Sequence, residues 1–176
     1  METVVHMGEA QVSSTPGDTL ACIGLGSCIG LTLVDRRRGI AGLAHVMLPA
    51  CTQPDPPLPH KYADLAVPSL LGLMLATGAR RSRLEAVLAG GAAMFQFSGG
   101  SGQEIGQRNI AAVTRMVEAA RIPIRAAETG GHNGRTLRVH VGADISITVR
   151  EAGGREQQLL GGPAGRAGTD SKVVYA

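Results

Sequence analysis

The chain has 176 residues, within the usual size of a single domain and long enough to bury a core without disulfides or a structural metal. Apolar residues make up 44% of it and aromatic residues only 2%, so the core has to be built from aliphatic side chains. The formal net charge is only +3, and the scarcity of aromatic rings removes the stacking surface used by proteins that bind single-stranded nucleic acid. Composition therefore argues against nucleic acid as a partner.

The cysteine content and the hydropathy pattern indicate the compartment. The chain has an odd number of cysteines, Cys22, Cys28 and Cys51, which do not make a disulfide framework. No apolar run reaches the roughly 20 residues that a membrane-spanning helix needs, and the first residues lack the basic and apolar segments of a signal peptide. We expect a cytoplasmic protein without membrane insertion, in which each free thiol serves either packing or chemistry.

Short aliphatic and β-branched runs, broken by Gly, Pro and Asp, predict strands in the first part of the chain. The predicted strands cover residues 4–12, 19–25, 29–34 and 39–48. The charged segment 35–38 joins the last two and favours a hairpin. Its three arginines are interpreted as a solvated turn rather than a binding patch.

The second part of the chain mixes helices with strands. Residues 51–59 contain four of the nine prolines and predict an irregular loop. Apolar residues at helical spacing predict helices over residues 62–77, ending at Gly78, and 109–120. Further strands are predicted over residues 84–89, 122–127, 136–141 and 144–150, the last two as a hairpin.

These elements predict the fold class α/β, as a single-domain sandwich of mixed, largely antiparallel β-sheet packed with helices. We place the domain at residues 1–152. Residues 153–176 form a polar, Gly-rich C-terminal segment without periodicity, and we expect about the last twenty of them to be a loosely attached tail.

Cys28 ends the run GLGSC at residues 24–28 and is followed by Gly30. Flanking glycines allow the backbone to bend sharply and to leave amide groups pointing into open space, where they could stabilise an oxyanion. A catalytic cysteine has to be accessible and close to a base. The alternative is that Cys28 is a small buried side chain between two strands.

His45 is the candidate base, in an otherwise apolar predicted strand. If segments 29–34 and 39–48 form the predicted hairpin, Cys28 and His45 lie at the same end of adjacent strands, within reach of a thiol–imidazole pair. The alternative for His45 is a core histidine hydrogen-bonded to the backbone. Together the two residues predict a cysteine-dependent amidohydrolase.

The same segments resemble the chemoreceptor glutamine deamidases, the CheD family, whose hallmark is an LGSC-type turn followed by a histidine before Met-Leu-Pro. The resemblance covers most of the chain and is carried, in the family's order, by GLGSC at 24–28, HVMLP at 45–49, KYAD at 61–64, GGAAMF at 90–95, IGQRN at 105–109 and TGG at 129–131. It implies a CheD-like fold in which Cys28 is the nucleophile and His45 the general base.

The function implied by the resemblance is that of a protein-glutamine glutaminase. Such an enzyme converts glutamine side chains of methyl-accepting chemotaxis receptors to glutamate and releases ammonia. Thioester chemistry would equally permit hydrolysis of glutamate methyl esters. The implied partners are the cytoplasmic helices of the receptors and a CheC-type phosphatase. An alternative from a different class is a catalytically weakened adaptor that binds and regulates such a phosphatase.

One position departs from the family's pattern. The family commonly has a threonine, assigned as third member of the triad, six residues before the cysteine, and this chain has Cys22 there. A thiol is a weaker hydrogen-bond partner than a hydroxyl and would orient the imidazole poorly. Three interpretations stay open: a backbone carbonyl orients His45, activity is reduced, or Cys22 and Cys28 form a redox-sensitive pair.

The remaining candidates surround this pair. The candidate substrate contacts are Gly26, Ser27, Tyr62 and Arg108. A second group either lines the cleft or forms a strand-end turn and a helix start: Gly90, Gly91, Phe95 and Asn109. Asp64 is placed to favour the dipole of the first predicted helix. The histidines share no spacing with the cysteines that indicates zinc, so we expect neither a metal nor another cofactor.

Overall fold

The computed structural model describes residues 1–93 and 101–161, with the backbone alone for residues 101–104. Phe95 and residues 162–176 of the predicted tail therefore lie outside the described residues. In the described part, two five-stranded sheets share the core.

The first sheet contains, in spatial order, β1 (Glu2–Val4), β3 (Thr19–Leu25), β8 (Arg135–His140), β9 (Ser146–Glu151) and β10 (Glu156–Leu160). The second contains β2 (Ala10–Ser13), β5 (Ile40–Val46), β4 (Ile29–Asp35), β6 (Glu85–Gly90) and β7 (Ile124–Thr129). One pair in each sheet is parallel, β1 with β3 and β6 with β7, whereas the other pairs are antiparallel. The predicted α/β sandwich of mixed, largely antiparallel sheet is confirmed.

Two helices, α1 (Ala63–Ala76) and α2 (Ser101–Ala119), pack on the outer face of the second sheet. The core therefore has two layers, one between helices and sheet and one between the two sheets. Side chains alternate along a strand, so Leu31 and Leu33 of β4 contact the helices while Leu43 of β5 contacts the first sheet. Because β4 and β5 are buried along their whole length, their sequences read as continuous aliphatic runs.

The predicted hairpin is confirmed, since β4 and β5 pair antiparallel with Asp35 opposite Ile40. The single strand predicted over residues 4–12 is wrong. The structure has β1 and β2 there, in different sheets, because the chain turns at residues 5–9. Gly8 has a φ of 79°, and the backbone N–H of His6 donates to the Glu9 carboxylate across this turn.

The second helix begins at Ser101 rather than at Asn109, so Asn109 is in its interior. The polar residues and glycines of the earlier turns hide the helical period in the sequence. Beyond residue 153 the chain forms β10, which the sequence did not predict and which pairs antiparallel with β9. Neither described helix has the length and apolar composition required to cross a bilayer.

Candidate active site

Cys28 lies in the bend between β3 and β4. Three consecutive backbone carbonyls of this bend, at residues 26–28, each accept a hydrogen bond. The Gly26 carbonyl accepts from the N–H of Ala92 at 2.7 Å, and the Cys28 carbonyl accepts from the N–H of Gly91 at 2.9 Å. Between them, the Ser27 carbonyl accepts from the Nδ2 of Asn109 at 2.8 Å. The bend that contains Cys28 is therefore held in place by the two residues that follow β6 and by α2.

Two N–H groups of the same bend have no partner in the part of the chain that the structure describes. No cis peptide bond occurs in the described chain, so each carbonyl and the following N–H point in opposite directions. The N–H groups of Ser27 and Cys28 therefore point away from the donors that bind the Gly26 and Ser27 carbonyls, and neither has an acceptor among the described residues. Two such donors next to a thiol are suited to bind an oxyanion.

His45 lies in β5 opposite Gly30 of β4 and is 4% exposed. It follows Leu43 by two residues, so its side chain faces the layer between the two sheets. Cys28 immediately precedes β4 and packs, half-buried, against that same layer. The structure thus brings Cys28 and His45 to the same end of adjacent strands.

The imidazole orientation is set by the backbone of Val5. His45 Nδ1 lies 3.1 Å from the Val5 carbonyl oxygen. Because a carbonyl can only accept, Nδ1 carries the hydrogen, and Nε2 of the neutral ring is left unprotonated. Nε2 is buried and has no hydrogen-bond partner within residues 1–93 and 101–161. It is therefore available as a base.

The turn at residues 5–9 also binds the backbone of His45. The N–H of Gly8 donates to the His45 carbonyl at 3.0 Å, and the His45 N–H donates to the Glu9 carbonyl at 3.0 Å. The histidine is thus held at its side chain and at both backbone groups by one segment, which also separates β1 from β2.

Burial acts in opposite directions on the two candidate catalytic groups. It raises the pKa of the Cys28 thiol above its ordinary value. It also lowers the pKa of His45, an effect that the Val5 hydrogen bond and the Glu9 charge oppose and the neighbouring His6 reinforces. Burial thus favours the neutral form of both groups.

Cys22 lies in β3 opposite Leu137 and has no exposed surface. Burial, and secondarily the charge of a Cys28 thiolate, raise its pKa far above the ordinary value, so it stays a thiol. The imidazole Nδ1 is already engaged by the Val5 carbonyl. Of the three interpretations of this position, the structure supports orientation by a backbone carbonyl.

Comparison with known proteins places this geometry in a family. A family model described as CheD chemotactic sensory transduction matches residues 47–151. A Clostridium botulinum (strain Alaska E43 / Type E3) protein named "Probable chemoreceptor glutamine deamidase CheD" is 46% identical over 154 residues, 86% of this chain and 94% of that relative. This chain belongs to the CheD family.

Two other relatives agree. A "Probable chemoreceptor glutamine deamidase CheD" of Geobacillus kaustophilus is 42% identical over 84% of this chain and 91% of its own length. A "Chemoreceptor glutamine deamidase CheD" of Halalkalibacterium halodurans is 43% identical over 78% of this chain and 87% of its own length. The family-model match begins after His45 and so includes neither Cys28 nor His45.

The candidate substrate contacts of this CheD family member are dispersed around the bend. Gly26 and Ser27 contribute bound carbonyls within it. Tyr62 is half-buried just before α1 and forms a bridge with Leu48, shortly after the His45 strand. Arg108 is exposed on α2. Their contacts with a substrate remain predictions.

Gly90 and Gly91 form a strand-end turn, with φ angles of 114° and 71°. A side chain at Gly90 would overlap the carbonyl oxygen of Cys28, so glycine is required by the close approach of this backbone. Asp64 lies in the first turn of α1, as predicted, and both of its carboxylate oxygens accept from the Cys51 N–H at 3.1 Å.

Nothing in the sequence marks Val5, since a backbone carbonyl leaves no side-chain signal. The sequence marks Asn109 only as part of a motif, without its hydrogen bonds. In the described part of the chain, no three His, Cys, Asp or Glu side chains are grouped so that they could hold a metal ion.

Proposed function

We propose that this protein is a chemotaxis enzyme that deamidates glutamine side chains of methyl-accepting chemoreceptors, with Cys28 as nucleophile and His45 as general base. Membership of the CheD family and the names of its relatives support the reaction. One observation carries the residue assignment: His45 has its Nδ1 bound to the Val5 carbonyl and its Nε2 unpartnered in the layer against which Cys28 packs.

In the first step, His45 Nε2 takes the proton of the Cys28 thiol as the sulfur attacks the carboxamide carbon of the glutamine. The carbonyl oxygen becomes an oxyanion, which the N–H groups of Ser27 and Cys28 stabilise. The carbon–nitrogen bond then breaks, and nitrogen leaves as ammonia with the proton from His45. A thioester between the receptor side chain and Cys28 remains.

In the second step, a water molecule attacks the thioester carbon while His45 accepts one of its protons. The carbon–sulfur bond breaks, and the Cys28 sulfur recovers its proton from the imidazolium. The product is a glutamate, so a neutral amide on the receptor has become a negative charge. Such a change biases a bistable receptor.

The same two steps act on a glutamate methyl ester, with methanol as the leaving group, so we propose methylesterase activity as a secondary reaction. A CheC-type phosphatase remains a proposed partner. The adaptor remains the alternative; Cys22 at the family's threonine position slightly favoured it, and the Val5 hydrogen bond to His45 weakens that support. The cytoplasmic location stays a prediction.

The test uses the purified protein and a receptor cytoplasmic fragment that carries glutamine at its modification sites. We expect ammonia release together with conversion of glutamine to glutamate by mass spectrometry, and methanol release from a methylated fragment. Cys28→Ala should abolish both, whereas Cys51→Ala, which removes another half-buried thiol, should retain them. Full ammonia release by Cys28→Ala would refute the assignment.

A further inference from the structure

Asn109 joins the turn of the nucleophile to the strand of the base. Its side chain has no exposed surface, and its Nδ2 donates at 2.8 Å to the Ser27 carbonyl and at 2.8 Å to the Met47 carbonyl. Both partners can only accept, so the amide nitrogen has to face them, and the amide orientation is fixed. One side chain thus contacts the residue before Cys28 and a residue two positions after His45.

The helix reaches this position because glycines let two backbones touch. A Cβ on Gly106 of α2 would lie 2.5 Å from the Gly91 carbonyl oxygen, and a Cβ on Gly91 would lie 2.5 Å from the Cγ1 of Ile110. Gly106 and Asn109 are three residues apart and therefore on the same face of α2. The close packing of α2 on the Gly91 segment places Asn109 over the bend.

The hydrogen bond to the Ser27 carbonyl also determines the direction of the Cys28 N–H. The Ser27 carbonyl and the Cys28 N–H belong to one planar peptide and point in opposite directions. When Asn109 holds the carbonyl, the N–H is aimed to the other side of the bend. The bond to Met47 holds the end of the His45 strand against the same side chain.

We infer that Asn109 is a positioning residue, which fixes the Ser27–Cys28 peptide so that the Cys28 N–H is aimed at the oxyanion. The inference rests on the proposed function, because the oxyanion belongs to that mechanism. It predicts that Asn109 matters most for reactions that build negative charge on a carbonyl oxygen. Alkylation of the Cys28 sulfur by iodoacetamide forms no oxyanion and should depend on it little.

The test compares Asn109→Leu, which keeps a similar volume without a donor, and Asn109→Asp, which places an acceptor before two carbonyls. Thr114→Val is the matched control, since Thr114 lies on α2 and its buried hydroxyl has no partner among the described residues. Receptor deamidation, hydrolysis of p-nitrophenyl acetate and iodoacetamide labelling of Cys28 are measured on folded protein, with circular dichroism as the check.

For both Asn109 variants, we expect kcat of deamidation and ester hydrolysis to fall about 10- to 100-fold, with KM changed by less than about threefold. Labelling of Cys28 should stay within about threefold of the unmodified protein, and Thr114→Val should match it in every assay. Unchanged kcat in folded Asn109→Leu would overturn the inference. Parallel loss of turnover, labelling and folded structure would also overturn it and leave a purely structural role.

The ester separates this inference from the function on which it rests. Hydrolysis of p-nitrophenyl acetate through Cys28 needs the same oxyanion donors but no receptor recognition. If the unmodified protein hydrolyses the ester and never deamidates receptor fragments, the proposed function fails. The Asn109 variants then still decide the positioning role by their ester turnover.

Discussion

The Nδ1 of His45 lies 3.1 Å from the carbonyl oxygen of Val5, and this contact spans forty residues of sequence. It assigns the ring hydrogen to Nδ1 and leaves Nε2 as the basic nitrogen. In many thiol and serine hydrolases a side chain orients the histidine. Here the turn between β1 and β2 does so with its backbone, while the buried thiol of Cys22 occupies the position at which the resemblance places a threonine.

Replacement of Cys22 should therefore have little effect on catalysis. We expect Cys22→Ala and Cys22→Thr to keep kcat within about threefold, because the imidazole is already held at Nδ1. Deamidation kinetics on folded protein provide the measurement. A tenfold or larger gain in Cys22→Thr would mean that a hydroxyl is needed and that Val5 orients the ring inadequately.

The pH dependence of kcat/KM should report on His45. Burial is the largest influence on this group and lowers its pKa below the ordinary value of 6.5. A general base works when it is unprotonated, so the acid limb of kcat/KM should have its midpoint below pH 6.5. A midpoint above pH 6.5 would contradict the proposed role.

Glu9 provides an internal check on that limb, because its negative charge raises the pKa of His45. Glu9→Gln removes the charge and keeps the shape of the side chain. The midpoint should move to still lower pH, whereas Glu118→Gln on α2 should leave it unchanged.

Stability should decline on acidification because His45 and His60 take up protons. Burial lowers the pKa of both His45 and His60 in the folded protein, so the unfolded chain binds more protons. The stabilising effect of their neutral forms is complete above the unfolded pKa of 6.5 and is lost as the pH falls through the lower folded values. Urea unfolding measured from about pH 8 to about pH 5, on either side of that pKa, tests this decline in stability. His60→Gln should reduce the decline, and a flat profile in the unmodified protein would refute the argument.

Two glycine substitutions should have opposite effects on stability. Gly90→Ala introduces a Cβ that overlaps the Cys28 carbonyl in a backbone with a φ of 114°, and we expect a loss of about 1–3 kcal/mol or more. Gly72→Ala in α1 meets no atom within 4 Å and should raise the free energy of unfolding by about 0.5–1 kcal/mol. Chemical denaturation distinguishes them, and equal effects would show that the space around Gly90 is misjudged.

The sequence alone determined the parts of this protein that depend on neighbouring residues. The strand over residues 19–25 and the hairpin of β4 and β5 followed from aliphatic runs and a short charged turn, whose pairing is local. Cys28 immediately precedes β4 and His45 lies near the end of β5, so the hairpin predicts that they lie at the same end of adjacent strands. The continuous burial of both strands was likewise visible in their composition.

Only the tertiary structure decided what holds these two residues in place. The contact of Val5 with His45 uses a backbone carbonyl, which every residue type has, and so leaves no trace in the sequence. Asn109 binds Ser27 and Met47, which are 82 and 62 residues away in the sequence. These contacts form only because α2 packs closely on a glycine backbone. Periodicity and turn chemistry describe a chain over a few residues, whereas the orientation of an active site depends on contacts that form only when sheets and helices have packed.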